Sequence, residues 1–177
     1  MASVVFLRAV NVGSANRCRP AAIAKELSKW GVVNIGAVGT FVVRKEVSES
    51  ALRAAFAREL PFKCEIMICP AREIIRLVSN DPFSAHPSDP NITRFVNVLA
   101  KPLAKQLAKP PMLPLCFPSE DGWLVKVIAI NGRFVLGIYR REMKAIAALG
   151  KLEKQFGIAA TNRNWNTIQK VAEVLRQ

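Results

Sequence analysis

Between Ser3 and Cys69, short apolar runs and amphipathic segments alternate in an order that few folds accept. An apolar run from Ser3 to Val10 reads as a buried strand, and the loop after it, Asn11 to Arg19, ends at Pro20, a favourable first residue for a helix. Ile23, Leu27 and Trp30 recur at helical spacing, which predicts a helix to about Trp30 with Gly31 as its stop. Val32 to Ala37 and Thr40 to Arg44 read as two short strands around Val38-Gly39. Ser48 suits the N-cap of a helix over Glu49 to Leu60, whose Ala51, Leu52, Ala55, Phe56 and Leu60 form an apolar face, and Lys63 to Cys69 reads as a further strand. The order β-α-β-β-α-β is the split unit of ferredoxin-like folds, with two helices on one face of an antiparallel sheet.

Beyond it, Pro70 begins a short predicted helix through Val78, and the proline-rich stretch from Asp81 to Pro90 cannot hold regular structure. The expected organisation is therefore a ferredoxin-like half at 1–79, a connector at 80–91 and a second α+β half at 92–177, packed on the first as one compact unit. The second half repeats the first loosely: a strand at Ile92 to Leu99, a helix at Pro102 to Lys109, a proline-rich stretch, then Trp123 to Ile130 and Arg133 to Tyr139. The last two flank Asn131-Gly132, a strong hairpin signal because both residues tolerate positive φ. Both faces of that hairpin are apolar, so its sheet is expected to be covered on both sides. A short helix at Gly150 to Gly157, a loop, and a last helix at Asn164 to Arg176 with Trp165, Ile168, Val171, Ala172 and Leu175 on its apolar side complete the chain. The fold class predicted is α+β, two packed ferredoxin-like halves with mainly antiparallel sheets.

A chain of 177 residues can bury about 70% of its unfolded surface, and an apolar share of 51% supplies a core. Against 13 acidic residues stand 26 Lys and Arg, a formal charge of +13 that favours anionic partners, small anions or nucleic acid. The N-terminal residues carry no basic leader and no long apolar stretch, and no run approaches a membrane span, so a cytoplasmic protein without a membrane partner is expected. The four cysteines form no CxxC pair and read as reduced thiols. Monomer and homodimer are both compatible with this composition.

Two polar clusters are candidate sites. Thr161-Asn162-Arg163-Asn164-Trp165-Asn166-Thr167 packs amides, a guanidinium and an indole where a predicted loop enters the last helix, a place where free backbone N–H groups favour anions. Arg8, Asn11, Gly13 and Asn16 occupy the loop after the first strand, another common ligand position. Arg8 and Arg163 would supply charge to one ligand held between the two clusters. Asn11, Asn16, Asn164, Asn166 and Thr167 would add polar contacts, and Trp165 would buttress or stack. Helix capping and a plain turn explain the same residues without a ligand. Cys18, between Arg17 and Arg19, is a reactive-thiol candidate, since adjacent positive charge lowers a thiol pKa. No dinucleotide fingerprint, P-loop, paired carboxylate, serine-histidine pair or metal-ligand spacing is found, so neither a catalytic residue nor a cofactor nor a metal is assigned.

LRAVNVG at residues 7–13 and TNRNWNT at 161–167 resemble the two signature segments of a bacterial family, domain of unknown function 1697 (DUF1697). Family sequences read LRGINVGG, then SGN after the second strand, then TTRNWNT. Here Ala9 and Ser14 stand for glycines, Val38-Gly39-Thr40 stands for SGN, and Asn162 stands for threonine. The resemblance implies two ferredoxin-like halves and no established activity. The function expected first is binding of a phosphate- or carboxylate-bearing anion. Non-sequence-specific nucleic-acid binding through a basic surface, and an enzyme acting on a nucleotide or phosphorylated substrate, are the alternatives.

Overall fold

The computed structural model describes residues 1–177 except 104–108 and 110. Its contacts divide the chain into two compact units, Met1–Asn80 together with Asn166–Gln177, and Asp81–Trp165. The division differs from the predicted one at both ends of the second half. The proline-rich connector belongs with the second unit, and the last helix beyond Trp165 belongs with the first.

In the first unit, strand β1 (Ser3–Leu7) is followed by helix α1 (Pro20–Glu26), a 3-10 turn at Ser28–Trp30, strands β2 (Val32–Ile35) and β3 (Thr40–Val43), helix α2 (Glu49–Glu59), strand β4 (Ile66–Pro70) and helix α3 (Ala71–Ser79). The sheet order is β2-β3-β1-β4 with every neighbour antiparallel, the arrangement of the split β-α-β-β-α-β unit. The first helix is shorter than its apolar spacing predicts, because its last turn tightens: Trp30 and Gly31 donate to the carbonyls of Leu27 and Ser28, and Gly31 then turns left-handed at φ 63°. Helix α2 begins where its cap predicts, with Ser48 Oγ accepting from the Ala51 N–H at 3.3 Å. Pro70 closes β4, an edge strand, which is where a sheet tolerates proline.

One face of this sheet, carrying Val5, Leu7, Phe41, Val43, Ile66 and Ile68, forms a core with Ile23 and Leu27 on one side and Leu52 and Phe56 on the other. The Phe41 and Phe56 rings lie 5.0 Å apart and tilted by 58°. The opposite face is buried as well, since Val4, Phe6, Val42 and Met67 are at most 2% exposed.

The second unit contains strands β5 (Ile92–Leu99), β6 (Leu115–Phe117), β7 (Val125–Asn131) and β8 (Phe134–Arg140), helix α4 (Met143–Phe156) and strand β9 (Ala160–Asn164), after which α5 (Trp165–Arg176) returns the chain to the first unit. Its antiparallel sheet runs β6-β7-β8-β5-β9. Without the short edge strand β6, that order reproduces β2-β3-β1-β4 with β5, β7, β8 and β9 in the places of β1 to β4. The helix predicted at Pro102 to Lys109 lies for the most part outside the described residues.

Three local expectations shift here. The hairpin turns one residue later than its Asn-Gly signal: Asn131 pairs with Phe134, so Gly132 (φ 60°) and Arg133 form the two-residue loop, with glycine first as in a type II′ turn. The helix predicted at Gly150 to Gly157 begins seven residues earlier, at Met143, because burial of Ala145, Ala148, Leu152 and Phe156 against Phe95, Val125 and Val127 outweighs the weak helix propensity of Gly150. The loop predicted before the last helix is β9, paired to β5 along its length.

Gly137 lies at the centre of this core, opposite Phe95 in the register. A Cβ there would stand 2.6 Å from Phe95 Cζ and run into the Lys126 carbonyl. Gly137→Ala is therefore expected to cost about 1–3 kcal/mol through overpacking. Urea melts should show a lower midpoint with an unchanged slope, and an unaltered midpoint would mean that the core yields freely at this position.

Candidate functional site

β1 stops at Leu7 and not at Val10 because the backbone turns left-handed at Ala9 (φ 54°), and again at Asn11 (56°), Gly13 (67°) and Asn16 (54°). Glycine adopts such angles freely and asparagine more readily than most, whereas alanine pays roughly 1–2 kcal/mol. The Asn11 carboxamide holds the loop in this shape. Its Nδ2 donates to the carbonyls of Cys18 (3.0 Å) and Ala37 (2.8 Å), and its Oδ1 accepts from the Cys18 N–H (2.9 Å). The Asn11 backbone N–H donates to the Asn16 carbonyl at 3.1 Å, and Asn16 Nδ2 reaches back to the Ala9 carbonyl at 3.4 Å. Both side-chain donors of Asn11 are thus engaged internally, so this residue shapes the loop and is not a donor to a ligand.

Two backbone bonds anchor the start of the loop: Leu7 N–H to the Gly39 carbonyl at 2.8 Å, and Arg8 N–H to the Glu65 carbonyl at 3.0 Å. Gly39 is left-handed (φ 77°), and a Cβ there would stand 2.7 Å from the Leu7 side chain. Residues Val12 to Arg17 are exposed. From Met1 to Lys25 the chain has no acidic residue, while Arg8, Arg17 and Arg19 flank the exposed tip.

The C-terminal cluster is built differently from its prediction. In β9, Arg163 pairs with Val96 and Asn164 with Phe95, and strand alternation buries Thr161 and Arg163 while exposing Asn162 and Asn164. Arg163 is 5% exposed, and its Nη1 donates to Thr161 Oγ1 (2.7 Å) and to the Asn162 carbonyl (2.8 Å). Burial pushes the guanidinium pKa down to about 10, which leaves it charged at neutral pH. Trp165 is 2% exposed and tilts 58° against Phe83 at 5.0 Å, so it is a core anchor and not a stacking platform. Asn166 and Thr167 lie in the first turn of α5, grouped with the first unit, while Arg163, Asn164 and Trp165 are grouped with the second.

Cys18 is half-buried against the first core, and burial pushes its thiol up, the opposite of what its arginine neighbours predict. Burial also raises the Cys64 thiol, with Cys18 and Glu65 adding to the shift against a lowering hydrogen bond from the Arg8 backbone. Neither thiol is poised as a thiolate nucleophile. Cys18 and Arg19 line an open hollow of about 290 Å³ that also contains Glu26 and Glu59. Among the described residues no group of three metal-binding side chains occurs, and no helix is long and apolar enough to cross a membrane.

The sequence prediction passes over one further cluster. Trp123 is half-buried, with Lys126 Nζ 4.6 Å and the Arg140 guanidinium carbon 4.4 Å from its ring centroid. Arg140 Nε also donates to the Trp123 carbonyl at 2.8 Å. The usable signal was Lys126, a charge among the apolar residues of a sheet strand.

Strand order in both sheets defines an α+β protein built on the ferredoxin-like plan, with a basic loop held by Asn11 after its first strand. The chain belongs to the family described as protein of unknown function (DUF1697), whose model matches residues 1–111. That match takes in the loop at 8–16 and stops before 161–167. The solved structure of conserved bacterial protein SP0830 from Streptococcus pneumoniae is similar in fold, with a TM-score of 0.66 and 16% identity over 99% of this chain and 98% of that one. No curated protein sequence matches the chain.

Two substitutions test the structural roles of Asn11 and Arg163. Asn11→Gly keeps the left-handed backbone and deletes the clamp, so it should cost about 1–3 kcal/mol and speed hydrogen exchange at the Cys18 amide, with unchanged exchange showing that the loop holds without the clamp. Arg163→Ala should cost about 2–4 kcal/mol in denaturant melts, because two charge-assisted bonds and a buried side chain go together. A change within about 0.5 kcal/mol would mean that the buried guanidinium and its bonds add nothing net to stability.

Proposed function

We propose that this protein binds a phosphate- or carboxylate-bearing anion at the loop between β1 and α1, within the first unit. The observation that carries the reading is the left-handed backbone at Ala9, Asn11 and Gly13, alternating with Val10 and Val12 outside that region. Left-handed turns of this kind form backbone concavities that favour anions, and since the Asn11 N–H is bonded to the Asn16 carbonyl, the N–H groups on offer are those of the exposed tip beyond it, Val12 to Ser14. Strained non-glycine residues persist only where their surroundings over-determine them, and such positions concentrate at functional sites. Here the over-determination comes from the Asn11 clamp and the bonds to Ala37, Gly39 and Glu65.

Charge points the same way. Arg8 and Arg17 flank the tip in a stretch without a carboxylate from Met1 to Lys25 and supply positive charge for an anion, while Arg19 shares its hollow with Glu26 and Glu59. Gly13 leaves the backbone open at the tip, since a Cβ there would meet nothing within 4 Å. Asn16 contributes through its backbone and its bond to Ala9. Arg163, buried and bonded to Thr161 and Asn162, and Trp165, packed on Phe83, are not part of this reading. Binding, and not catalysis, is the activity proposed, because no general acid or base stands in the loop.

The test is thermal unfolding with inorganic phosphate, pyrophosphate and citrate. An anion at a hundredfold its Kd adds about 2.7 kcal/mol, which should raise Tm by several degrees. Arg8→Ala combined with Arg17→Ala should remove that ligand-induced shift. Equal shifts in the variant and the parent protein would overturn the assignment.

A further inference from the structure

We infer that the Trp123, Lys126 and Arg140 cluster of the second unit is a contact site for single-stranded nucleic acid, apart from the β1–α1 loop. By the register of β7 and β8, Lys126 lies opposite Ile138, and the Arg140 N–H donates to the Leu124 carbonyl at 2.9 Å, so Lys126 and Arg140 stand on one face of the sheet. Both cations lean on the same indole, which holds them at most about 9 Å apart. Glu120, Asp121 and Glu142 are close in sequence, yet among the described residues no carboxylate comes within ion-pair distance of either cation. Two like charges gathered on one ring without a counter-charge repel each other, and an anion relieves that repulsion.

The form of the cluster selects the anion. It is an open sheet rim beside the edge strand β6, where Cys116 pairs with Lys126 and both Leu115 and Phe117 are half-exposed. A free phosphate would find no enclosing donors there. A single strand offers what the rim can use, namely repeating phosphates for the two cations and unstacked bases with π-faces for the indole. Cation–π contacts at a solvent-facing ring are weak, while charge-assisted bonds from Arg and Lys to phosphate are strong. A strand arriving at the rim therefore draws Lys126 and Arg140 off the ring onto its phosphates and uncovers the indole face for a base. Duplexes keep their bases stacked and cannot use the ring. The chain-wide surplus of Lys and Arg, 26 against 13 acidic residues, supplies the long-range attraction.

Fluorescence anisotropy with labelled oligothymidylate, measured on the full chain across a salt series, tests the site. Lys126→Ala with Arg140→Ala should weaken binding and reduce the log–log salt slope by about 1.4, the value for two phosphates on a single strand. Trp123→Ala should lower affinity for the single strand about tenfold or more and leave duplex binding unchanged. The double cation variant alters only rim side chains, so it decides the matter even where Trp123→Ala unfolds, which circular dichroism reports. Absence of binding, an unchanged salt slope, equal losses on duplex and single strand, or equally tight capture of polyglutamate by the same three residues would each overturn the inference.

Discussion

Leu7 and Gly39 approach so closely that a side chain at position 39 would overlap Leu7, and this contact sets the geometry of the first unit's candidate site. The Leu7 N–H meets the Gly39 carbonyl, which brings the β2–β3 turn against the end of the central strand. Only because that turn is there can Asn11 reach the Ala37 carbonyl and lock the following loop. The family pattern places a glycine in the middle of SGN at this position, and the reason is visible in the packing: φ 77° and a missing Cβ are both required. The replacement of the flanking residues by Val38 and Thr40 leaves the close approach intact and puts a fully buried threonine at the start of β3.

The same logic explains another departure from the family pattern. Ala9 occupies a position at φ 54°, where the family's glycine would carry no steric cost. Alanine is held there by neighbours, through the Asn16 bond to its carbonyl and the Asn11 clamp two residues on. Strain at Ala9 and order at Asn11 are thus two sides of one local arrangement, and they make the β1–α1 loop a preformed surface.

In the second unit the organising contact is again a glycine beneath a large side chain. Phe95 lies across Gly137, and its ring stands 5.9 Å from that of Tyr139, two residues along β8. The sheet order that repeats the first unit's plan is built around this central pair of strands, β5 and β8. Arg163 shows the other side of strand alternation: with Thr161 and Arg163 both turned to a buried face, a guanidinium is taken out of water and compensated by Thr161 Oγ1 and a backbone carbonyl.

Apolar periodicity, turn residues and caps were enough to read most elements, because these are local signals. Ser48 capping α2, Pro20 opening α1, Gly31 and Gly157 stopping helices, and the run Ile92 to Leu99 all stand where residue type alone places them. The sequence by itself also determined the β-α-β-β-α-β order and the excess of positive charge. What only the tertiary structure decided depends on partners distant in the chain. β5 turned Thr161 to Asn164 from a loop into a strand, the long-range bond to Ala37 helped turn Asn11 from a candidate ligand donor into a clamp, and the β7–β8 register gathered Trp123, Lys126 and Arg140. A residue's type states which bonds it can make, but whether those bonds face inward or remain for a ligand is settled by what the fold sets beside it.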